Sequence, residues 1–397
     1  MEQFFEIQQR LLHFTTLDFV RSIAGKIDWN SRLVGIKGAR GSGKTTLLLQ
    51  YIKRTYASEP GAALYASLDN LWFADHSLYE LAGDFVRTGG KHLFLDEVHR
   101  YPGWSREIKN IYDDFPQLRV VFTGSSLLEI INAQADLSRR AVIYHLRGLS
   151  FREFLALETG IAFDIFSLDD ILHRHTDLAG QITRKIQPFR YFDNYLRYGY
   201  YPFYREQPDL YPVRLNQSLN MILEVELPQL RNLEVAYILK IKQLLTVLAE
   251  SVPFTPDISK LSRKIGINRI TLIKYLHYLE QSDLLILLQR STSGVGRLQK
   301  PDKVYLENTN LMWALAPGHA DKGHLRKTFF VNQLRNEGIR LAARGDFVVR
   351  GKYTFEVGGK HKSGKQVAGL EDAFIAADDL ETGFGPKIPL WLFGFLY

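Results

Sequence analysis

Gly38-Ala39-Arg40-Gly41-Ser42-Gly43-Lys44-Thr45 is a complete G-x-x-x-x-G-K-T loop, and it constrains the fold more than any other stretch of the chain. Its three glycines let the backbone curl with N–H groups pointing inward, a shape that surrounds phosphate oxygens. The apolar run Leu33-Val34-Gly35-Ile36 before it reads as a buried strand, and Thr45 to Ile52 after it reads as a helix. The loop thus ends at a positive helix N-terminus. The order strand, loop, helix predicts ATP with Mg²⁺, held by Gly38, Ala39, Arg40, Gly41, Ser42, Gly43, Lys44, Thr45 and Thr46. Lys44 reaches the β- and γ-phosphates, and the Thr45 hydroxyl holds the metal.

Apolar strands alternate with amphipathic helices over the first 150 residues, which predicts a parallel sheet flanked by helices. The run Leu93-Phe94-Leu95-Asp96-Glu97 ends a strand in two acids. This strand is expected beside the loop strand, with Asp96 on Mg²⁺ and Glu97 polarising the attacking water. The next strand ends in Thr123-Gly124-Ser125-Ser126. A hydroxyl there, Thr123 or Ser125, is expected to sense the γ-phosphate; the alternative is that Ser125 caps the following helix. Arg139 and Arg140 precede a fifth strand, where an arginine can act across a subunit boundary. Such a role requires a homo-oligomer.

Composition adds boundaries. A chain of 397 residues has room for two or three cores. Cysteine is absent, which excludes disulfides and thiolate metal sites. The longest apolar candidate, Ile388 to Tyr397, is too short to span a membrane and contains Pro389 and Gly394. Glu2 and Glu6 do not fit a secretion signal, so a cytoplasmic location is expected. The net charge of +7 suits a nucleic-acid partner and equally a mildly basic enzyme that binds nucleotide.

The later chain divides into three segments. Residues 151–231 read as an aromatic-rich helical lid or linker. Residues 232–306 follow a winged helix-turn-helix plan. Its first helix carries Ile238, Ile241, Leu244, Leu245 and Leu248 on one face, and its second stops at Gly266. The third helix is capped by Asn268, with Ile270, Ile273, Leu276 and Leu279 read as its inner face. Arg269, Thr271, Lys274 and Tyr278 form its outer face, suited to DNA. Lys260, Arg263 and Lys264 lie nearby, and a basic turn runs from Arg290 through Arg297 to Lys300. The competing reading is a lid or protein-interaction module. In residues 307–397, Asp346, Glu356 and Lys360 suggest the metal site of a restriction-endonuclease-like fold. Glu356 is followed by Val357 and Gly358 in place of the usual Glu-x-Lys, and the preceding helix lacks an acid. A small α+β domain inactive as a nuclease is therefore expected.

Several segments together resemble prokaryotic AAA-type ATPases that carry an uncharacterised, restriction-endonuclease-like C-terminal domain. They are Gly38–Thr46, Leu93–Glu97 with Val98-His99-Arg100, Pro102-Gly103-Trp104, Thr123–Ser126, Leu149–Phe154, Tyr195–Pro202 and Lys303–Leu311. The resemblance spans nearly the whole chain. It implies an α/β AAA-type domain over 1–150, ATP binding and hydrolysis, and Arg140 as the candidate arginine, since Leu137-Ser138-Arg139-Arg140 stands where the family has Leu-x-Gly-Arg. The expected function is an ATPase whose cycle moves the winged helix and C-terminal module on DNA. The alternatives are a nucleotide-gated interaction scaffold and a P-loop kinase of small metabolites.

Overall fold

The structure, a computed structural model, describes all residues except 125–136, 138, 232–234, 252–256, 291–299 and 319–320. It divides into two units, Met1–Gly148 and Leu149–Tyr397.

The first unit is built on five parallel strands: β1 (Leu33–Lys37), β2 (Ala63–Ser67), β3 (His92–Asp96), β4 (Arg119–Gly124) and β5 (Val142–His145), in the order β2-β3-β4-β1-β5. The strands are short apolar runs with no polar face, as a sheet covered on both sides requires. Alternate residues feed two cores. Leu33, Leu64, Ala66, Leu93, Leu95, Val120 and Phe122 pack with α3 (Leu78–Arg87) and α4 (Trp104–Asp114). Val34, Ile36, Tyr65, Phe94 and Val121 pack with Leu47, Leu48 and Ile52 of α2 (Lys44–Thr55).

One expectation is corrected here. The strand carrying Asp96 does not lie beside the loop strand: β4 pairs with both β1 and β3 and separates them. The carboxyl ends of the three still share one edge, where open parallel sheets bind ligands.

The outer edge of β2 is closed by α1 (Glu2–Phe14). Gln8, buried, donates Nε2 to the Ala63 carbonyl at 3.2 Å and accepts the Tyr65 N–H at 2.6 Å. One side chain thus completes a ladder that would otherwise be open.

His92 opens β3 with Nδ1 2.9 Å from the Tyr56 hydroxyl. Burial, assisted by the Arg119 charge, pushes its imidazole from 6.5 down to about 3. Between those values the unfolded chain takes up a proton that the folded chain does not, so stability falls as pH drops through this window. By pH 5 the loss from this residue amounts to about 2 kcal/mol. The denaturant midpoint of His92→Phe should decline less than that of the wild type between pH 7 and 5. An unchanged decline would refute a neutral buried His92.

In the second unit, Ser150 and Ser167 form capping boxes with Glu153 and Asp170 at the starts of helices Phe151–Thr159 and Leu168–Thr183. Helices Val235–Ser251, Ile258–Ile265 and Arg269–Gln281 precede the antiparallel pair β6 (Leu285–Leu288) and β7 (Lys303–Leu306). The second helix ends at Gly266 with φ 72°, and Asn268 caps the third by accepting the Thr271 N–H at 2.8 Å. The inner face of that third helix differs from the expected one. Leu272, Tyr275, Leu276 and Leu279 are buried, whereas Ile270 is 71% exposed. The stripe through 272, 275, 276 and 279 is the wider of two apolar stripes, and the wider one turns inward.

A second sheet has the order β12-β11-β10-β9-β8, from Arg340–Leu341 (β8), Phe347–Val349 (β9), Tyr353–Gly359 (β10), Ala373–Asp378 (β11) and Lys387–Pro389 (β12). The pairs β8/β9 and β9/β10 are antiparallel, and the remaining two are parallel. The three later segments of the sequence close into one unit because its end packs on its beginning. Phe395 stacks on Phe166 and lies edge-on to Phe151, and the Tyr397 carbonyl accepts from Ser150 Oγ at 2.6 Å.

A buried polar network joins these segments. Asn310 Oδ1 accepts the Tyr200 N–H at 2.9 Å and the Tyr211 hydroxyl at 2.6 Å, while its Nδ2 donates to the Tyr195 and Leu196 carbonyls. Glu307 accepts the Tyr200 hydroxyl at 2.7 Å and Asn332 Nδ2 at 3.1 Å, with Arg335 Nη1 at 3.5 Å. Burial raises the Glu307 carboxyl above the usual range, and the Arg335 charge opposes that rise. The motifs at 195–202 and 303–311 are thereby accounted for as internal structure.

Candidate nucleotide site

The phosphate loop bridges β1 and α2. Gly41 and Gly43 take positive φ values of 78° and 95°, which favour glycine. At Gly38 the constraint is space: a Cβ there would stand 2.2 Å from the Leu146 carbonyl oxygen. Gly43 caps α2, and Leu47 N–H donates to its carbonyl at 3.0 Å. Lys44 is buried, its Nζ 2.8 Å from the Gly38 carbonyl and 3.1 Å from that of Ala39. Arg40 and Thr46 are exposed.

Asp96 is the meeting point. It is 2% exposed at the end of β3, and four donors converge on its carboxylate. Oδ2 accepts the Thr45 hydroxyl at 2.6 Å and the Tyr65 hydroxyl at 2.9 Å. Oδ1 accepts the Glu97 N–H at 3.1 Å and the Thr123 hydroxyl. The structure thus brings Thr45, Asp96 and Thr123 together across three strands' ends. Thr123, fully buried, has its hydroxyl on Asp96. Ser125 lies outside the described residues.

Glu97 follows with φ 53°, a left-handed conformation that non-glycine residues adopt at a cost. Its Oε2 is 3.4 Å from His99 Nε2. Burial first, then the charges of Arg100, Lys44 and Arg40, push the His99 imidazole down to about 4. At neutral pH it is uncharged. Burial and the neighbouring Asp96 raise the Tyr65 hydroxyl far above its ordinary range, so it remains a donor.

The sequence motifs single out neither Tyr65 nor Arg21, which donates Nη1 to the Ser42 carbonyl of the loop at 2.8 Å, and they include His99 only within Val98-His99-Arg100. Tyr65 had a signal, as the one hydroxyl-bearing aromatic in a strand of small and apolar residues. His99 had only its place three positions after Asp96. Arg21, a lone cation before an apolar turn, had none.

The residues present fit a nucleotide and its metal. Ser42 Oγ is buried within the loop without a protein hydrogen-bond partner, as a group awaiting an acceptor would be. Thr45 and Asp96 supply hard oxygen ligands. Among the described residues no group of three or more His, Cys, Asp and Glu could hold a metal ion.

Arg140 is held by Asp113 of its own chain, with Nε and Nη2 each 3.0 Å from a carboxylate oxygen. Both partners are partly exposed, so solvent screens the pair and release of the arginine costs little.

In the second unit, Asp346 and Glu356 are each paired with a separate lysine. Asp346 Oδ1 is 2.6 Å from Lys327 Nζ, and its Oδ2 accepts the Val357 N–H at 2.9 Å. Glu356 Oε1 is 2.8 Å from Lys362 Nζ. The lysine partner is therefore Lys362, not Lys360, which is exposed and contributes its carbonyl to Lys387 Nζ. Gly358 makes room for this: a Cβ there would lie 2.8 Å from Lys362 Cδ. On the winged-helix plan, Arg269 and Lys274 are exposed and Thr271 half-buried, and Arg290 and Lys300 are exposed at the hairpin. Arg297 lies outside the described residues. No described helix is long and apolar enough to cross a membrane.

The AAA domain family matches residues 30–155, and a domain of unknown function (DUF8612) matches residues 189–322. An uncharacterized protein of Methanocaldococcus jannaschii is 28% identical over 284 residues, covering 68% of this chain and 60% of that relative's length. Among solved structures, a Walker-type ATPase of Pyrococcus abyssi shares 12% identity at TM-score 0.40, covering 72% of this chain and 91% of the other. The Aeropyrum pernix ORC1 protein, solved in complex with DNA, shares 15% at TM-score 0.31, covering 78% and 91%. The loop, the acid-tipped β3 and the parallel sheet order give the first unit a P-loop AAA-type α/β fold, over the stretch where the AAA domain family matches residues 30–155.

Proposed function

We propose that this chain binds MgATP at Gly38 to Thr46, hydrolyses it, and uses the cycle to move a winged helix and the C-terminal module on DNA. The observation that carries the reading is the convergence of Thr45, Tyr65, Thr123 and the Glu97 N–H on the buried carboxylate of Asp96. When bound, the metal neutralises developing phosphate charge. Thr45 and Asp96 would hold it. Tyr65 and Thr123 fix the Asp96 carboxylate, and Lys44 would bind the β- and γ-phosphates. Glu97 takes the proton of the attacking water. The sensing role falls to Ser125, and Arg140, once released from Asp113, would act on a neighbouring copy in a homo-oligomer.

Charge supports DNA as the partner. Residues 232–306 contain eleven Lys and Arg against six acids, a net +5 of the chain's +7. Lys260, Arg263, Lys264, Arg269 and Lys274 on the second and third helices are exposed, placed for phosphate contacts. Asp346 and Glu356, each neutralised by a lysine, are given no catalytic part.

Phosphate release measured with and without duplex and single-stranded DNA tests the proposal. Duplex should stimulate release, and the stimulation should fade as salt rises from about 50 to 200 mM. Tight MgATP binding with no release under any condition would leave the interaction-scaffold reading in its place. Phosphorylated metabolite would favour the kinase.

A further inference from the structure

Arg21 is 7% exposed, and its guanidinium spans two parts of the first unit that are far apart in sequence. Nη1 donates to the carbonyl of Ser42 in the phosphate loop at 2.8 Å. Nη2 donates to the carbonyls of Arg147 and Gly148 at 2.8 and 2.9 Å. Two further contacts join the same parts. The Leu146 N–H donates to the Lys37 carbonyl at 2.8 Å, and Gly38 presses on the Leu146 carbonyl so closely that no Cβ fits. Beyond Gly148 the chain continues directly into the second unit.

We propose that Arg21 is a positioning residue that makes nucleotide occupancy of the phosphate loop felt at residues 146–148, the exit of the ATPase unit. The inference rests on the reading that the loop binds MgATP. Lys44 donates to the Gly38 and Ala39 carbonyls in this structure, and drawing its ammonium toward phosphate oxygens changes its pull on them. The loop carbonyls then settle into a new arrangement. The Ser42 carbonyl is tied through one rigid, planar group to two carbonyls at the exit, so a shift at one end is imposed on the other. Only arginine has the fork to do this; a lysine ammonium is a single point charge and does not span the three acceptors in fixed geometry.

Hydrogen exchange of the full chain, with and without Mg²⁺ and a non-hydrolysable ATP analogue, tests this. In the wild type the analogue should slow exchange several-fold in peptides covering residues 38–45 and also in those covering 144–150. In Arg21→Lys, saturating analogue should still protect 38–45 but no longer protect 144–150. Equal protection of 144–150 in both proteins would overturn the proposal. So would a wild type that protects 38–45 and not 144–150, a result that needs no variant to fold. A wild type with no protection at 38–45 would instead remove the nucleotide reading on which the inference stands.

Discussion

Glu97→Gln should bind MgATP as tightly as the wild type and release phosphate at least about a hundredfold more slowly, the lower end of what a positioned general base contributes. Three observations make this substitution informative. The Glu97 N–H, which glutamine retains, is the group that bonds to Asp96, so the metal-holding carboxylate keeps its partners. The left-handed backbone at Glu97 is set by its neighbours and is equally strained for either side chain. His99, with Nε2 3.4 Å from the Glu97 carboxylate, is neutral at neutral pH and does not compete as a cation for that group. What glutamine removes is the capacity to accept a proton. Binding read with a fluorescent nucleotide, alongside phosphate release, checks both halves. Equal turnover by the two proteins would take Glu97 out of the mechanism.

Lys44→Ala should weaken MgATP binding by about two to four orders of magnitude. Charge-assisted hydrogen bonds contribute about 1.5–3 kcal/mol each, two are expected between Lys44 and the phosphates, and about 1.4 kcal/mol is a factor of ten. The fold should tolerate the change. In this structure Nζ donates to main-chain carbonyls of its own loop, and the α2 core rests on Leu47, Leu48 and Ile52. Titration calorimetry gives the affinity, and a thermal melt separates lost binding from lost fold. Affinity within tenfold of wild type would place the phosphates elsewhere than the 38–46 loop.

Much of the nucleotide site was legible because its signals are local. The loop glycines, the lysine and the strand that ends in Asp96-Glu97 are each a short run whose chemistry is set by immediate neighbours. What joins those runs is not local. Nothing in the sequence orders the strands, so β4 slipped between β1 and β3 unannounced and brought Thr123 onto Asp96. Tyr65 reaches the same carboxylate from a strand that reads as plain core. The third helix of the winged-helix plan shows a different failure. Ile270 and Ile273 are apolar at helical spacing, yet the wider stripe through Leu272, Tyr275 and Leu276 won the interior. In the C-terminal module, Lys362 replaced Lys360 because a side chain folded back over Gly358, a close approach that spacing cannot show.

The buried polar network sets an order of events for a chain made from its N-terminus. Many of its hydrogen bonds join residues 99 to 138 positions apart, as between Tyr211 and Asn310 or Tyr195 and Gln333. A polar group buried before its partner arrives costs about 1–3 kcal/mol, so Tyr200 and Tyr211 gain nothing by leaving water until the chain through Asn310 exists. The ATPase unit is complete at Gly148 and can close while the rest is still being synthesised. The second unit must meet its long loop-closure entropy in one late step.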